Sequence, residues 1–369
     1  MRAKPGLFLG LMSGTSLDGV DAALVETDGE GVARPGASLT LPYGAALRAR
    51  LRALLDRAER LARDDPALAE AERALTDRHA EAVAALLDAA GVAAREIVAL
   101  GFHGQTILHR PGRRLTWQIG DAARLAAATG IAVVHDFRSA DVAAGGQGAP
   151  LAPLWHAALA AGLERPLAVL NLGGVGNVTW IGADGAVIAC DTGPGNGPLD
   201  DWVQSRAGVP FDQGGRIAAA GTVSVAVLVR LMAHPFFAVP PPKSLDRLDF
   251  AAAIADAGLA ALPVADGAAT LAAFAAASAA AVRAHLPEPP RRWLVSGGGR
   301  HNAALMAALR AALGVAVDPV ESVGWNGDAL EAQAFGYLAA RSLAGLPLSL
   351  PGTTGVPRPM PGGRVARPT

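Results

Sequence analysis

The sequence has one cysteine, two lysines and no surplus of charge of either sign. The lone thiol, Cys190, excludes an intrachain disulfide framework and suits a reducing compartment. With 32 basic and 33 acidic residues the formal net charge is −1, which argues against a nucleic-acid surface or an anionic membrane as the main partner. Lysine occurs only at Lys4 and Lys243, so the bases are almost all arginine; with the abundant alanine, this reads as coding bias. Charged residues make up only 18% of the chain and hydrophobic ones 51%, enough for a sizeable core and incompatible with a wholly disordered chain. At 369 residues and 37.3 kDa, two ordinary domains, or one very large one, are expected.

Long apolar runs are also scarce. Met1-Arg2-Ala3-Lys4 followed by Leu7 to Met12 imitates a basic leader with a short apolar segment, but a glycine interrupts the run and no small-x-small cleavage site follows. A buried first strand is the better reading. Ala268 to Val282 is only weakly apolar and is flanked by Ser, Asp and Arg, which argues against a bilayer span. A soluble, cytoplasmic chain is expected.

Strand-like runs at Leu7–Met12, Val20–Glu26, Ile97–Phe102, Leu115–Ile119 and Ile131–Val134 alternate with helical patterns at about Ala45–Arg63 and Pro66–Ala90. Near the middle the opening returns, with Leu167–Leu172, a glycine turn, Asn177–Ile181, Asp184-Gly185 and Ala186–Cys190. Strand, glycine turn, strand, Asp-Gly, strand thus occurs twice, about 160 residues apart. The alternation predicts an α/β fold, and the repeat predicts two related domains. Further helices are expected at Val223–His234, Ala268–His285, Ala303–Leu313 and Asp328–Leu343, with a buried strand at Trp293–Ser296 and an extended tail after Leu346.

Three glycine turns stand at strand ends. Ser13-Gly14-Thr15-Ser16-Leu17-Asp18-Gly19 combines glycines that let backbone N–H groups converge on an anion, hydroxyl donors, and a carboxylate able to hold a phosphate-neutralising metal. It is not a Walker A loop, since no Gly-Lys-Ser/Thr follows and the turn joins strand to strand; a plain polar hairpin is its structural alternative. Gly173-Gly174-Val175-Gly176-Asn177 offers a second phosphate-facing turn, or an ordinary tight turn. Gly297-Gly298-Gly299 follows a buried strand and opens a helix, where a nucleoside or phosphate can approach bare backbone. Together they say more than any one alone.

Asp191, in Asp191-Thr192-Gly193-Pro194-Gly195-Asn196, stands at the carboxyl end of a predicted strand and is the candidate general base; the alternative is an aspartate that organises the turn. Past three predicted strands come Phe102-His103-Gly104-Gln105-Thr106, Gln118-Ile119-Gly120-Asp121 and His135-Asp136-Phe137-Arg138, a set suited to a sugar or carboxylate ligand, with Arg138 able to grip a carboxylate bidentately. His103 and His109 do not form a helical zinc pair, because Gly104 and Pro111 break the segment, and no metal cage is legible beyond a nucleotide-borne Mg²⁺. Glu331 falls in the first turn of a helix, where stabilising the helix N-terminus already accounts for it.

Taken together, Gly10-Leu11-Met12-Ser13-Gly14-Thr15-Ser16-Leu17-Asp18-Gly19-Val20-Asp21, Gly101 to Thr106, Gln118 to Asp121, Asp136-Phe137-Arg138, Ala143 to Leu151, Asn171 to Asn177, Asp191 to Asn196, Pro242-Lys243-Ser244, Ser296 to Gly299, Asp328 to Ala332 and Pro351 to Gly355 closely resemble the anhydro-N-acetylmuramic acid kinase family of the sugar-kinase and actin superfamily. The likeness runs almost end to end. Leu245-Asp246 depart from an expected Thr-Gly, and Trp325 is an unusual neighbour, which touches the contour of a substrate lid. The resemblance implies a two-lobed actin-like ATPase (ribonuclease H-like) fold with an interdomain cleft, usually homodimeric. Residues 1–138 with about 345–369 would form one domain, and 139–344 the other.

It further implies an ATP- and Mg²⁺-dependent reaction in which water opens the 1,6-anhydro ring of a muramyl sugar and the released O6 takes the γ-phosphoryl group. The products are N-acetylmuramic acid 6-phosphate and ADP, in cell-wall recycling. Ser13, Gly14, Thr15, Ser16, Leu17, Asp18, Gly19, Val20 and Asp21 would grip the β- and γ-phosphates, Gly173, Gly174 and Asn177 would form the second phosphate loop, and Gly297, Gly298 and Gly299 would receive the adenosine. Asp191 would activate the water, with Glu331 orienting water or sugar, and His103, Gln105, Asp121 and Arg138 would line the amino-sugar pocket. Two alternatives stay open: an ordinary sugar or polyol kinase in which Asp191 deprotonates the acceptor hydroxyl directly, and a nucleotide-driven binding protein.

Overall fold

The structure is a computed structural model describing residues 4–14, 16–245 and 249–368; Thr15 of the first turn and the departure at Asp246 lie outside the described residues. The chain divides into two compact units, Met1–Gly162 with Asp328–Thr369, and Leu163–Gly327. Strands of the first unit are β1 (Gly6–Ser13), β2 (Gly19–Thr27), β3 (Ala33–Pro42), β4 (Ile97–Arg110), β5 (Leu115–Ile119) and β6 (Val133–His135); the second unit holds β7 (Leu167–Leu172), β8 (Val175–Ile181), β9 (Val187–Pro194), β10 (Arg292–Ser296) and β11 (Ala316–Pro319), and β12 (Arg364–Ala366) returns to the first.

Within the first unit the sheet order is β12-β6-β4-β1-β2-β3, with β5 hairpinned onto β4; β1, β2 and β3 are antiparallel, while β4 and β6 run parallel to β1. The second unit repeats the plan as β11-β10-β7-β8-β9, again an antiparallel meander followed by two parallel strands. The duplicated sequence pattern is therefore a duplicated topology, each parallel strand reached by a helical crossover. The third strand of the first meander, β3, has no clear alternation of its own: Pro35 and Gly36 interrupt it, which an edge strand tolerates because one side needs no ladder partner.

Helix Pro66–Ala90 is set by local chemistry at both ends. Asp65 accepts the Ala67 N–H at 2.8 Å, Pro66 occupies the first turn, and Gly91 takes a left-handed φ of 65°. Its buried Leu68, Ala71, Leu75, Ala82, Val83 and Leu86 recur at helical spacing and pack with Leu9 and Leu11 of β1. The helix expected over Ala45–Arg63 stops at Leu55, and a single 3₁₀ turn follows at Ala58–Arg60.

The opposite face of β1 carries helix Leu330–Leu343. A Cβ on Gly10 would stand 1.7 Å from the Ala332 carbonyl oxygen, and one on Gly101 would stand 2.0 Å from that of Phe335. Backbone thus lies directly on backbone. This contact corrects the expected domain limits: residues 328–344 belong with the first unit, because their partners are β1, β2 and β4, and residues 139–162 join it as well. The tail after Leu346 is ordered rather than merely extended, with helix Pro351–Thr354 and β12 antiparallel to β6.

In the second unit, the stretch Val264–His285 is long and apolar enough to cross a membrane by length and composition, the only such helix among the described residues. Its Ala268, Leu271, Ala272, Phe274, Ala275 and Ala279 are buried in the unit's core with Leu199, Val203, Leu231, Leu305 and Leu309. It is a core helix.

The helix-on-sheet contact predicts that Gly10→Ala lowers thermal stability by about 3 kcal/mol, at the upper end for overpacking, since neither backbone can yield without the other. Gly91→Ala, left-handed but with open space around it, should cost only about 1 kcal/mol. Parallel denaturant titrations check the ranking.

Candidate active site

In the second unit the candidate base, expected at the carboxyl end of its strand, lies within β9, which runs on past it to Pro194. Asp191 pairs in register with Asn177, Asn177 with Asn171, and Asn171 with Ser296, so a polar row crosses β9, β8, β7 and β10. Between this row and Gly193 the β8–β9 ladder slips by one residue, a bulge that bends the strand just beyond Asp191. The Asp191 carboxyl is half-buried, and desolvation pushes its pKa up to about 7. Two groups hold the rise in check: the Leu245 N–H, which donates to Oδ2 at 2.7 Å, and the charge of Lys243. The chain at 243 is itself latched to β9, since the Asp191 N–H donates to the Lys243 carbonyl at 2.9 Å. Lys243 is buried, donates from Nζ to the Phe236 carbonyl at 2.9 Å and lies 4.3 Å from the centre of the Phe236 ring.

The two glycine turns of this unit meet through Asn196. The N–H groups of Gly195 and Asn196 donate to the carbonyls of Gly174 and Gly173 at 3.1 and 2.7 Å, so the run that begins with Asp191 ends by clamping the second phosphate turn. Asn196 Nδ2 donates to the Leu172 carbonyl at 3.3 Å, while its Oδ1 is buried without a hydrogen-bond partner. A Cβ on Gly299 would stand 3.0 Å from that same Oδ1, and one on Gly297, at φ 74°, would strike Asn171 and Leu172. Gly174 has nothing within 4 Å of an added Cβ. Bare backbone, an orphaned acceptor and open space are the features a nucleotide needs at such turns.

In the first unit, Ser13 closes β1 and is buried. Its hydroxyl donates to Gln105 Oε1 at 2.5 Å, and Tyr43 Oη lies 2.6 Å away; desolvation holds the Tyr43 phenol well above its usual pKa, so it serves as donor. Leu17 is left-handed at φ 58°, with its carbonyl held by Arg48 Nε at 2.9 Å, while Ser16 donates to Asp18 at 2.8 Å. Asp21, two residues into β2, is pushed up to about 6 by burial and by the charges of Asp18 and Asp328, despite a 2.6 Å hydrogen bond from Thr40.

Four residues were expected to line a sugar pocket, and the structure assigns them different surroundings. His103 is buried, with both ring nitrogens in use: Nδ1–H donates to the Gly104 carbonyl at 2.7 Å, and Nε2 accepts from Arg138 Nε at 3.0 Å. Burial and the Arg138 charge hold it well below its ordinary pKa, so it is neutral, as those bonds require. Arg138 is lowered to about 10 by desolvation, with Glu331 and Asp141 opposing, and it stays charged at neutral pH. Glu331 stands in the first turn of its helix, where desolvation and the Asp21 charge raise its pKa and Arg138 counters them. Gln105 is buried and turned to Ser13. Asp121 is exposed and caps helix Ala122–Thr129 by accepting the Arg124 N–H at 2.9 Å. A pocket of about 320 Å³ does open in this unit, lined among others by His103, Trp117, Gln118, Gly120, His135 and Asp136.

Lys243, the Leu245 N–H, Tyr43 and Asn196 were given no role from sequence. Lys243 carries a signal: it is one of only two lysines in a chain whose other bases are arginine. The other three depend on neighbours remote along the chain.

A family model described as Anhydro-N-acetylmuramic acid kinase matches residues 6–366. The anhydro-N-acetylmuramic acid kinase of Acidiphilium cryptum is 65% identical over 360 residues, 98% of each chain. That of Rhizorhabdus wittichii is 56% identical over 365 residues, 98% of this chain and 99% of its own. Among solved structures, component A of (R)-2-hydroxyglutaryl-CoA dehydratase from Acidaminococcus fermentans covers 91% of this chain and 99% of its own at a TM-score of 0.50 and 13% identity, a likeness of fold. The fold is the α/β actin-like ATPase class, and the chain belongs to the anhydro-N-acetylmuramic acid kinase family.

Proposed function

We propose that the protein is an ATP-dependent kinase that opens the 1,6-anhydro ring of anhydro-N-acetylmuramic acid with water and phosphorylates O6, giving N-acetylmuramic acid 6-phosphate and ADP in the recycling of cell wall. The observation that carries this reading is Asp191: a carboxylate raised to about 7, on a strand whose continuation clamps a glycine turn. A base poised near neutrality can both hold and release a proton at working pH. Asp191 takes a proton from water as the oxygen bonds to C1; the C1–O6 bond breaks, and O6 displaces ADP from the γ-phosphorus.

The second unit's glycine turns suit the nucleotide, with Asn196 Oδ1 as an added acceptor. In the first unit the Ser13–Gly19 turn suits the phosphates. Burial, with the nearby charges of Asp18 and Asp328, raises the pKa of Asp21, and a cation there would favour its ionised form, although no group of three or more His, Cys, Asp or Glu among the described residues forms a cage. Asp18 and Asp21 are the carboxylates that would hold an ATP-borne Mg²⁺, which would neutralise charge on the transferring phosphoryl group. Arg138, aimed by His103, is suited to the lactyl carboxylate of the sugar. Glu331, within reach of the charges of Asp21 and Arg138, would orient sugar or water. From the family resemblance we take the working state to be a cytoplasmic homodimer.

Asp191→Asn should retain ATP and sugar binding by calorimetry but lose roughly 10²- to 10⁴-fold in kcat, the range for a general base; near-normal turnover would remove Asp191 from the role. The wild-type kcat/KM should fall about tenfold per pH unit below about 7 as Asp191 of the free enzyme takes up its proton, and this acid limb should vanish from the residual kcat/KM of the Asn variant. In oxygen-18 water the label should appear at C1 of the product. Its absence there would favour an ordinary sugar kinase, in which Asp191 deprotonates the acceptor hydroxyl directly.

A further inference from the structure

Two sequence motifs have no part in the chemistry above: Ala143 to Leu151, with its Gly-Gly-Gln-Gly core, and Pro351 to Gly355. Both converge on Asp141, a buried aspartate in the short helix Ser139–Ala143. Its Oδ1 accepts the Gly148 N–H at 2.6 Å. Its Oδ2 accepts the Thr354 hydroxyl at 2.6 Å and the Ser349 hydroxyl beside it. Main chain closes the same knot, with the Gly146 N–H on the Asp141 carbonyl at 2.9 Å and the Gln147 N–H on the Thr354 carbonyl at 2.6 Å. A Cβ on Gly146 would lie 2.2 Å from Asp141 Oδ1, so the loop passes where only glycine fits.

The far side of this loop faces Arg138. The Gly148 carbonyl accepts from Arg138 Nη1 at 2.5 Å, and His103 Nε2 accepts from Nε at 3.0 Å. Two acceptors on one guanidinium fix its plane. His109, with Nε2 2.9 Å from the Gln147 carbonyl, braces the loop from β4.

We infer that Asp141, with Ser349 and Thr354, is a positioning residue for the substrate's carboxylate: it sets the Gly145–Gly148 loop so that the Gly148 carbonyl and His103 aim the fork of Arg138. The inference rests on the assignment of Arg138 to the lactyl carboxylate. A carboxylate accepting three donors is well suited to this work, since charge-assisted bonds are stronger than neutral ones and hold the loop without an ion-pair partner of its own.

The test compares the anhydromuramyl sugar with the same anhydro-sugar lacking its lactyl ether. Asp141→Ala should raise KM for the first roughly tenfold or more, the scale of one charge-assisted hydrogen bond, while KM for ATP and the kinetics on the second sugar stay within about twofold. Asp141→Asn should recover most of the loss, because its carbonyl oxygen can still take the Gly148 N–H while its amide faces two hydroxyls free to rotate. Should Asp141→Ala fail to fold, the Ser349→Ala/Thr354→Val pair should show the same preference for the sugar without the lactyl group. Arg138→Ala serves as the reference, and adding Asp141→Ala to it should cost nothing further. Equal losses on both sugars, an unchanged KM, or additive losses in the double variant would overturn the positioning role. If Arg138→Ala itself leaves the two sugars in their wild-type ratio, the assignment of Arg138 fails instead, and the inference with it.

Discussion

The constraint on which the first unit depends is the seating of helix Leu330–Leu343 directly on its central strands. Gly10 and Gly101 leave no side chain between the helix backbone and β1 or β4, and the register of that contact decides where everything on the helix falls. It places Glu331 where the charges of Asp21 and Arg138 both act on it. It also sets Phe335 4.7 Å from the His103 ring, and His103 in turn holds Arg138. A backbone contact of this kind tolerates no graded adjustment, because neither partner has a rotamer to change.

Electrostatics in the second unit work by restraint. Burial alone would carry the Asp191 carboxyl further from its ordinary value; one N–H from Leu245 and the charge of Lys243 bring it back to about 7. Lys243 is itself depressed by desolvation and supported by a carbonyl and an aromatic face, so its charge is held near Asp191 without a direct ion pair between them being needed. The base is thus tuned by a segment that arrives more than fifty positions after it in the chain.

What could be read from sequence was whatever is local. The glycine turns, Asp191 and the duplicated meander all announce themselves through residues adjacent in the chain, and they stand on the strands expected of them. The repeat calls for a strand after Asp28-Gly29 but gives it no range, because Pro35 and Gly36 break the alternation of this edge strand, β3. The domain limits were misplaced, because the partners of Leu330–Leu343 lie some three hundred residues earlier. His103, Gln105 and Asp121 were grouped by residue type and position past a strand, but their hydrogen bonds separate them: one orients Arg138, one holds Ser13, and one caps a helix. Polar residues at strand ends serve neighbours as often as ligands, and only the bonding partners tell them apart.

The first unit is also discontinuous, and this shapes its birth on the ribosome. Strands β1 to β6 emerge long before the helix that covers one of their faces, with all of Leu163–Gly327 translated in between. The second unit, by contrast, is one unbroken stretch and can condense as soon as it leaves the exit tunnel. For most of synthesis, then, the apolar side of a nascent sheet that includes Phe8, Ala99 and Val134 waits for Phe335, Leu338 and Ala339, and a holdase during that interval would be the natural guard against aggregation.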